Sequence, residues 1–439
     1  MICLRGASMI KILHLSDIHI GSSFSHGRIN PQTGLNTRLE DFQMALRRCV
    51  DAAIAQNVDL VLFGGDAFPD ATPPPYIQQA FASEFCRLVE AQIPTVLLVG
   101  NHDQHAQGVG GASLCIYRTL GVPGFIVGDT LTTHEIETKS GPIQVVTLPW
   151  LTRSTLLTRP ETQGLSMGEV GELLLEKLRI VLESEIRKLN KEIPTVLLAH
   201  LMTDTARYGA ERFLAVGKGF TVPMAILARD CFDYIALGHV HKYQQVSQSP
   251  LAIYPGSIER VDFSEEKEEK GYILLEVEKG KAEATFCALP ARVFKTIEVD
   301  LTNSEKPQAA LLEKLSKFDL SEQIVRLIYK LRADQTEDVD NAVISEALAA
   351  AHSFTIQPQL VSQLSRPRLP ELGVDSTRSP ISALQAYLDN RGDLSALAPD
   401  ILEAAQGLLN QDPHGDKKIV ATNVEEMIEE DDTRQLRLL

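Results

Sequence analysis

Short apolar runs rich in valine, isoleucine and leucine recur along this chain, and five of them stop abruptly in polar residues. They are MIKILHLSDIH (9–19), VDLVLFGGD (58–66), IPTVLLVGNHD (93–103), IPTVLLAH (193–200) and FDYIALGHVH (232–241). Runs of this length and composition predict strands buried on both faces. Between the first three the period becomes helical. In 38–56, Leu39, Phe42, Leu46, Val50 and Ala53 share one face, and in 74–92 so do Ile77, Phe81, Phe85 and Leu88. Strand–helix–strand alternation predicts an α/β core. Ligands in such sheets gather beyond the carboxyl ends of the strands, where all five runs place their polar groups.

Past residue 290 the pattern changes. KTIEVDL, a proline-started helix with Leu311, Leu312, Leu315 and Phe318, then IVRLIYKL, DNAVISEALAAA and SFTIQPQLV predict a small βαβαβ unit. Proline spacing and polarity make 364–379 a linker. Ser379-Pro380 then starts a helix carrying Ile381, Leu384 and Leu388 on one stripe. Gly392 breaks it, and Leu394, Leu397, Ile401, Ala405 and Leu408 form a second stripe.

At 439 residues the chain predicts two or three domains. No apolar run reaches the length of a membrane span, and MICLRGAS lacks the apolar core of a secretory signal. Met9 is a second candidate start. The six cysteines (Cys3, Cys49, Cys86, Cys115, Cys231, Cys287) are scattered without a CxxC pair, which predicts reduced thiols in a cytoplasm. A net charge of -16 argues against a general polyanion binder. Six of the acids, however, crowd the last fifteen residues (Glu425, Glu426, Glu429, Glu430, Asp431, Asp432), and bound cations reverse a local field. Nucleic acid therefore stays open as a partner. No P-loop occurs, so any use of ATP falls to a partner.

The strand tips collect Asp17, His19, Asp66, Asn101, His102, Asp103, His200, His239 and His241, with five of the eleven histidines. Carboxylate, imidazole and amide oxygen without thiolate suit manganese, iron or zinc. Seven ligands are too many for one tetrahedral ion but fit two ions that share a carboxylate. Within DIH and GHVH, residues i and i+2 of an extended segment point the same way, so each pair can face one cluster. Any one of these residues alone is explained by turn chemistry or by a hydrogen-bonded core histidine. The fivefold recurrence is not. His14 lies within the first run and is expected to pack in the core.

In this order, D-x-H, G-D, G-N-H-D, a later His and G-H-x-H resemble the calcineurin-like metallophosphoesterases. The resemblance implies an α/β fold: a β-sandwich core flanked by helices, with a small α+β capping domain and a C-terminal helical hairpin. It implies metal one on Asp17, His19, Asp66 and His241, and metal two on Asp66, Asn101, His200 and His239, with Asp66 bridging. His102 would be the acid facing the phosphate, and Asp103 its orienting partner. His105 matches no motif position. Two such cations polarise a phosphoryl oxygen and clamp attacking and leaving oxygens, so the implied reaction is phosphate-ester hydrolysis.

ERFLAVGKGFTVPMAILARDCFDYIALGHVHKYQQV and YPGSIERVDFSEEKEEKGYILLEVEKG further resemble bacterial exonuclease subunits of the SbcD type. That implies a Mn2+-dependent exonuclease and endonuclease on double- and single-stranded DNA. Its partner would be an SMC-like ATPase of the SbcC type, with a homodimer inside a heterotetramer, in double-strand-break repair and recombination. The implied layout is an extension (1–8), nuclease domain (9–290), capping domain (291–363), linker (364–379), hairpin gripping the ATPase (380–411) and acidic tail (412–439). Arg207, Arg212, Lys218 and Lys242 are candidate DNA contacts, and Ile381, Leu384, Leu388, Leu397 and Ile401 candidate partner contacts. The chain departs from the family at Pro69, where many members carry a polar end-orienting side chain. Competing readings are a phosphatase or cyclic-nucleotide phosphodiesterase on the same site, and a non-enzymatic scaffold for the ATPase.

Overall fold

The computed structural model describes residues 9–104, 111–151, 165–207, 221–361, 380–389 and 397–409. The expected extension, linker and acidic tail lie outside them. The chain divides into two compact units, Met1–Val361 and Ser362–Leu439.

The first unit begins with β1 (Ile10–Leu15), β2 (Leu60–Phe63), β3 (Thr95–Leu98), β4 (Phe125–Gly128), β5 (Thr132–Thr138) and β6 (Gly141–Leu148). It continues through β7 (Thr195–His200), β8 (Met202–Thr203), β9 (Thr221–Val222), β10 (Tyr234–Gly238), β11 (Gln244–Gln248) and β12 (Leu251–Tyr254). The hairpin β13 (Lys270–Glu278) and β14 (Lys281–Leu289) precedes β15 (Phe294–Asp300), β16 (Ile324–Arg332) and β17 (Ser353–Val361). Two six-stranded mixed sheets result, in the orders β14-β13-β1-β2-β3-β4 and β11-β12-β10-β7-β6-β5. β1 to β4 run parallel, as do β6, β7, β10 and β12.

The sheets stack face to face. Ile12, Leu60, Leu62, Val96 and Leu98 of the first meet Val145, Val196, Leu198, Tyr234 and Ala236 of the second in one buried cluster. His14 sits in this layer as expected, sharing a 3.1 Å hydrogen bond through Nδ1 with the Tyr234 hydroxyl. The alternate residues Leu13, Val61, Phe63 and Leu97 turn outward onto Phe42, Leu46, Phe81 and Phe85 of helices Thr37–Ala55 and Pro75–Glu90. On the other side, Val146, Leu197, Ile235 and Leu237 meet Leu178 and Leu182 of helix Met167–Ile186. The central strands are therefore covered on both faces, and their sequences read as unbroken apolar runs for that reason. This is a β-sandwich flanked by helices.

β15, β16 and β17 form a separate parallel sheet. Helices Pro307–Leu315 and Asn341–Ala347 cover it through a core of its own, including Ile297, Leu311, Leu315, Val325, Leu327 and Ile344. It is tied to the sandwich by Arg292, whose guanidinium meets Asp41 at 2.6 Å, and by a 2.8 Å hydrogen bond between Thr37 and His352. The second unit contributes helices Pro380–Asp389 and Ala398–Leu409. Among the described residues no helix is long and apolar enough to cross a membrane.

Candidate metal centre

The strand tips are stitched together by main-chain hydrogen bonds that run past the sheets. Asp17 N–H donates to Gly65 O and His19 N–H to Asp66 O, each at 3.0 Å. Between the sheets, His239 N–H donates to both Asp17 carboxylate oxygens at 3.1 and 3.0 Å, and His200 Nδ1–H to Gly64 O at 2.6 Å. This approach leaves no room for side chains at two motif glycines. A Cβ on Gly100 would lie 2.1 Å from Asp66 Oδ1, and one on Gly238 would lie 2.2 Å from Gly64 O. Asp17, His19, Asp66 and His239 all take left-handed backbone angles (φ 53, 47, 60 and 101°). Non-glycine residues rarely do so, and strain of this kind collects at functional sites.

All seven expected ligands come together here. Asp66 is central: its Oδ2 lies 3.6 Å from His19 Nε2 and 3.4 Å from His200 Nε2. On one side stand Asp17, His19 and His241, and on the other Asp66 groups with His200 and His239, donor atoms within 4.8 Å in each set. Asn101 Oδ1 is 2.8 Å from His239 Nδ1 and 3.0 Å from His200 Nε2. His19 and His241 face one another, Nε2 to Nε2, across 3.0 Å.

Three observations test whether cations fit. Among the described residues, His239 Nε2 is buried with no hydrogen-bond partner, an arrangement that native cores rarely tolerate. The donors are oxygen and imidazole nitrogen alone, a set that suits divalent ions of the manganese, iron or zinc kind. The buried carboxylates also demand positive charge. Burial works against a charged imidazole, yet Asp66 beside His200 and Glu265 beside His241 outweigh it and hold both histidines up at about 9. Burial likewise pushes the Asp17 carboxyl up. Two divalent cations held by neutral imidazoles would meet the same demand. The residues fit a dinuclear centre.

His102 is half-buried, with its ring 5.0 Å from that of His19. Its Nδ1 donates to Pro69 O at 2.8 Å and its backbone N–H to Asp66 Oδ1 at 2.9 Å. Asp103 does not orient it. That expectation is corrected by the carboxylate's own partners, the backbone N–H groups of Asp66, Ala67 and Gly100 at 2.8, 2.9 and 2.9 Å. Asp103 thus ties the tip of β2 to that of β3. Burial, then the charge of Asp66, push it up to about 7.

Sequence reasoning missed three residues. Trp150 packs 4.7 Å from the His239 ring. Glu265 accepts from His241 Nδ1 at 2.7 Å, and buried Lys270 pairs with Glu265 at 2.7 Å. Of the candidate DNA contacts, Arg207 and Lys242 are exposed, with the Arg207 backbone clasped by the Gln244 amide. Arg212 and Lys218 lie outside the described residues, as does His105.

Residues 10–243 match the model of the calcineurin-like phosphoesterase family. The chain is 26% identical over 300 residues to the SbcD subunit of the nuclease SbcCD of Staphylococcus epidermidis, covering 66% of this chain and 73% of that one. Solved structures include a protein of Thermus thermophilus (17% identity, 64% of this chain, 99% of that one, TM-score 0.36). A dimetal phosphatase from Danio rerio is 14% identical, covering 64% of this chain and 100% of that one, with a TM-score of 0.38.

Proposed function

Because this chain belongs to the calcineurin-like phosphoesterases, a family with a dinuclear metal site, we propose that it is a two-metal DNA nuclease. It would cleave phosphodiesters as an exonuclease and endonuclease, with Mn2+ as the working ion, on double- and single-stranded DNA. Its setting would be a cytoplasmic complex with an SMC-like ATPase in break repair and recombination, as a homodimer within a heterotetramer. The observation that carries this reading is the similarity to the nuclease subunit, which at 300 residues runs longer than the 234-residue span 10–243 of the family match. A separate sheet, β15 to β17, standing beside the phosphoesterase fold supports it. We assign that sheet, in residues 291–363, to a capping domain over the nuclease domain 9–290. The hairpin 380–411, beyond a linker at 364–379, is assigned to the ATPase.

Asp17, His19, Asp66 and His241 would hold one ion and Asp66, Asn101, His200 and His239 the other. When bound, the pair supplies charge to polarise a phosphoryl oxygen and to steady attacking and leaving oxygens. His102, its Nδ1–H committed to Pro69 O, keeps Nε2 for substrate and from there passes a proton to the leaving oxygen. Asp103 fixes the spacing of Asp66 and Gly100 rather than touching substrate. Exposed Arg207 and Lys242 would meet the DNA backbone.

One assay tests the reading. Purified full-length protein with Mn2+ is offered duplex DNA or p-nitrophenyl phosphate esters. Metal-dependent shortening of DNA is expected. Ester hydrolysis without any DNA cleavage would replace the nuclease by a phosphatase or cyclic-nucleotide phosphodiesterase.

A further inference from the structure

The stretch SEEKEEK (264–270) reads as solvated surface, since Lys and Glu are almost never fully buried unless paired. Two of its charges are inside nonetheless. Glu265 and Lys270 are buried at 4% and 1% exposure. Glu265 Oε1 accepts from His241 Nδ1 at 2.7 Å. Its other oxygen meets Lys270 Nζ at 2.7 Å, the Val261 N–H at 3.0 Å and the Ser257 hydroxyl at 3.4 Å. Lys270 also donates to the His241 carbonyl at 3.0 Å, so it grips the histidine and its carboxylate partner together.

We propose that Glu265, braced by Lys270, is a positioning residue for one of the two metal positions. By accepting Nδ1–H it fixes the His241 tautomer and turns Nε2 toward His19, 3.0 Å away. A carboxylate in this place orients a ligating imidazole and raises its basicity. The other position is supported differently. There His200 donates its Nδ1–H to a backbone carbonyl. Loss of Glu265 therefore falls on the Asp17–His19–His241 side alone. The inference rests on the two-metal reading above.

The test is Mn2+ binding by the full chain, read by equilibrium dialysis with elemental analysis and not by activity. The unaltered protein is expected to bind two ions, and Glu265→Ala to bind one of them 10–100-fold more weakly. Glu265→Gln keeps an acceptor for Nδ1–H and should recover part of that loss, which a merely structural defect would not allow. If Glu265→Ala does not fold by circular dichroism, the pair Glu265→Gln with Lys270→Met removes both buried charges and decides instead, with a smaller loss at the same one site expected. Two ions at unaltered affinity in a folded Glu265 variant overturn this inference and leave the two-metal reading standing. An unaltered protein that binds no Mn2+ overturns both.

Discussion

His102 Nδ1 lies 2.8 Å from the carbonyl oxygen of Pro69. A carbonyl only accepts, so Nδ1 carries the hydrogen and the other ring nitrogen is left for substrate. At Pro69 the main chain, not a side chain, orients the histidine. Proline suits the task because its ring fixes φ.

His102→Gln should therefore keep both metal ions and DNA affinity while losing about 10²–10⁴-fold in cleavage rate. Pro69→Ala preserves the carbonyl and should retain most activity. Elemental analysis beside single-turnover cleavage checks both variants. Loss of an ion from His102→Gln would make His102 a ligand.

Asp66 Oδ2 stands between His19 and His200 at 3.6 and 3.4 Å, so one side chain would serve both proposed metal positions. Asp66→Ala should lose both ions, whereas His19→Ala should weaken mainly one. Trp150, the chain's single tryptophan, lies 4.7 Å from the His239 ring and reports on that side. Quenching of its fluorescence by Mn2+ should survive in His19→Ala and vanish in Asp66→Ala. Two ions per chain in Asp66→Ala would remove the bridging assignment.

Gly100 is not among the proposed ligands, yet it should be as sensitive as one. A methyl group there would sit 2.1 Å from Asp66 Oδ1 and 2.5 Å from Asp66 N. Overpacking of this kind costs about 1–3 kcal/mol, and the strain falls on the Asp66 carboxylate. Gly100→Ala should thus lower Mn2+ affinity at both positions together with thermal stability. Normal metal titration in a folded Gly100→Ala would show that the β2 and β3 tips can yield.

What could be read from sequence follows the physics of burial. β1, β2, β3, β7 and β10 are covered on both faces over most of their length, so each left a mainly apolar signal ending at the site. β5 and β11 lie at sheet edges with half-exposed, polar residues, THEIE and QQVSQ, and left none. The residues that converge at the strand tips were legible because several motifs in order constrain one another. Asp103 was misread because a motif match says nothing about which way a side chain turns; this one turns to three backbone N–H groups. Glu265 and Lys270 were hidden in a run of like residues, where composition predicts solvent and only the fold selects which two go inside.

The C-terminal helices separate two roles between the two predicted stripes. Leu388 is 3% exposed and Leu397 is 54% exposed, while Ile381, Leu384 and Ile401 are half-buried. A charge at Leu388 would be buried without a partner, so Leu388→Asp should damage the helices themselves. Leu397 has no such duty and is the position to probe for the ATPase proposed above. Leu397→Asp should weaken binding of an SMC-like ATPase at least tenfold, about 1.4 kcal/mol. Helicity and Mn2+-dependent activity of the isolated chain should not change. Affinity is read by titration of the full-length variant against the purified ATPase. An unchanged dissociation constant would move the docking site off this face, because an aspartate in a desolvated apolar contact cannot be neutral in energy.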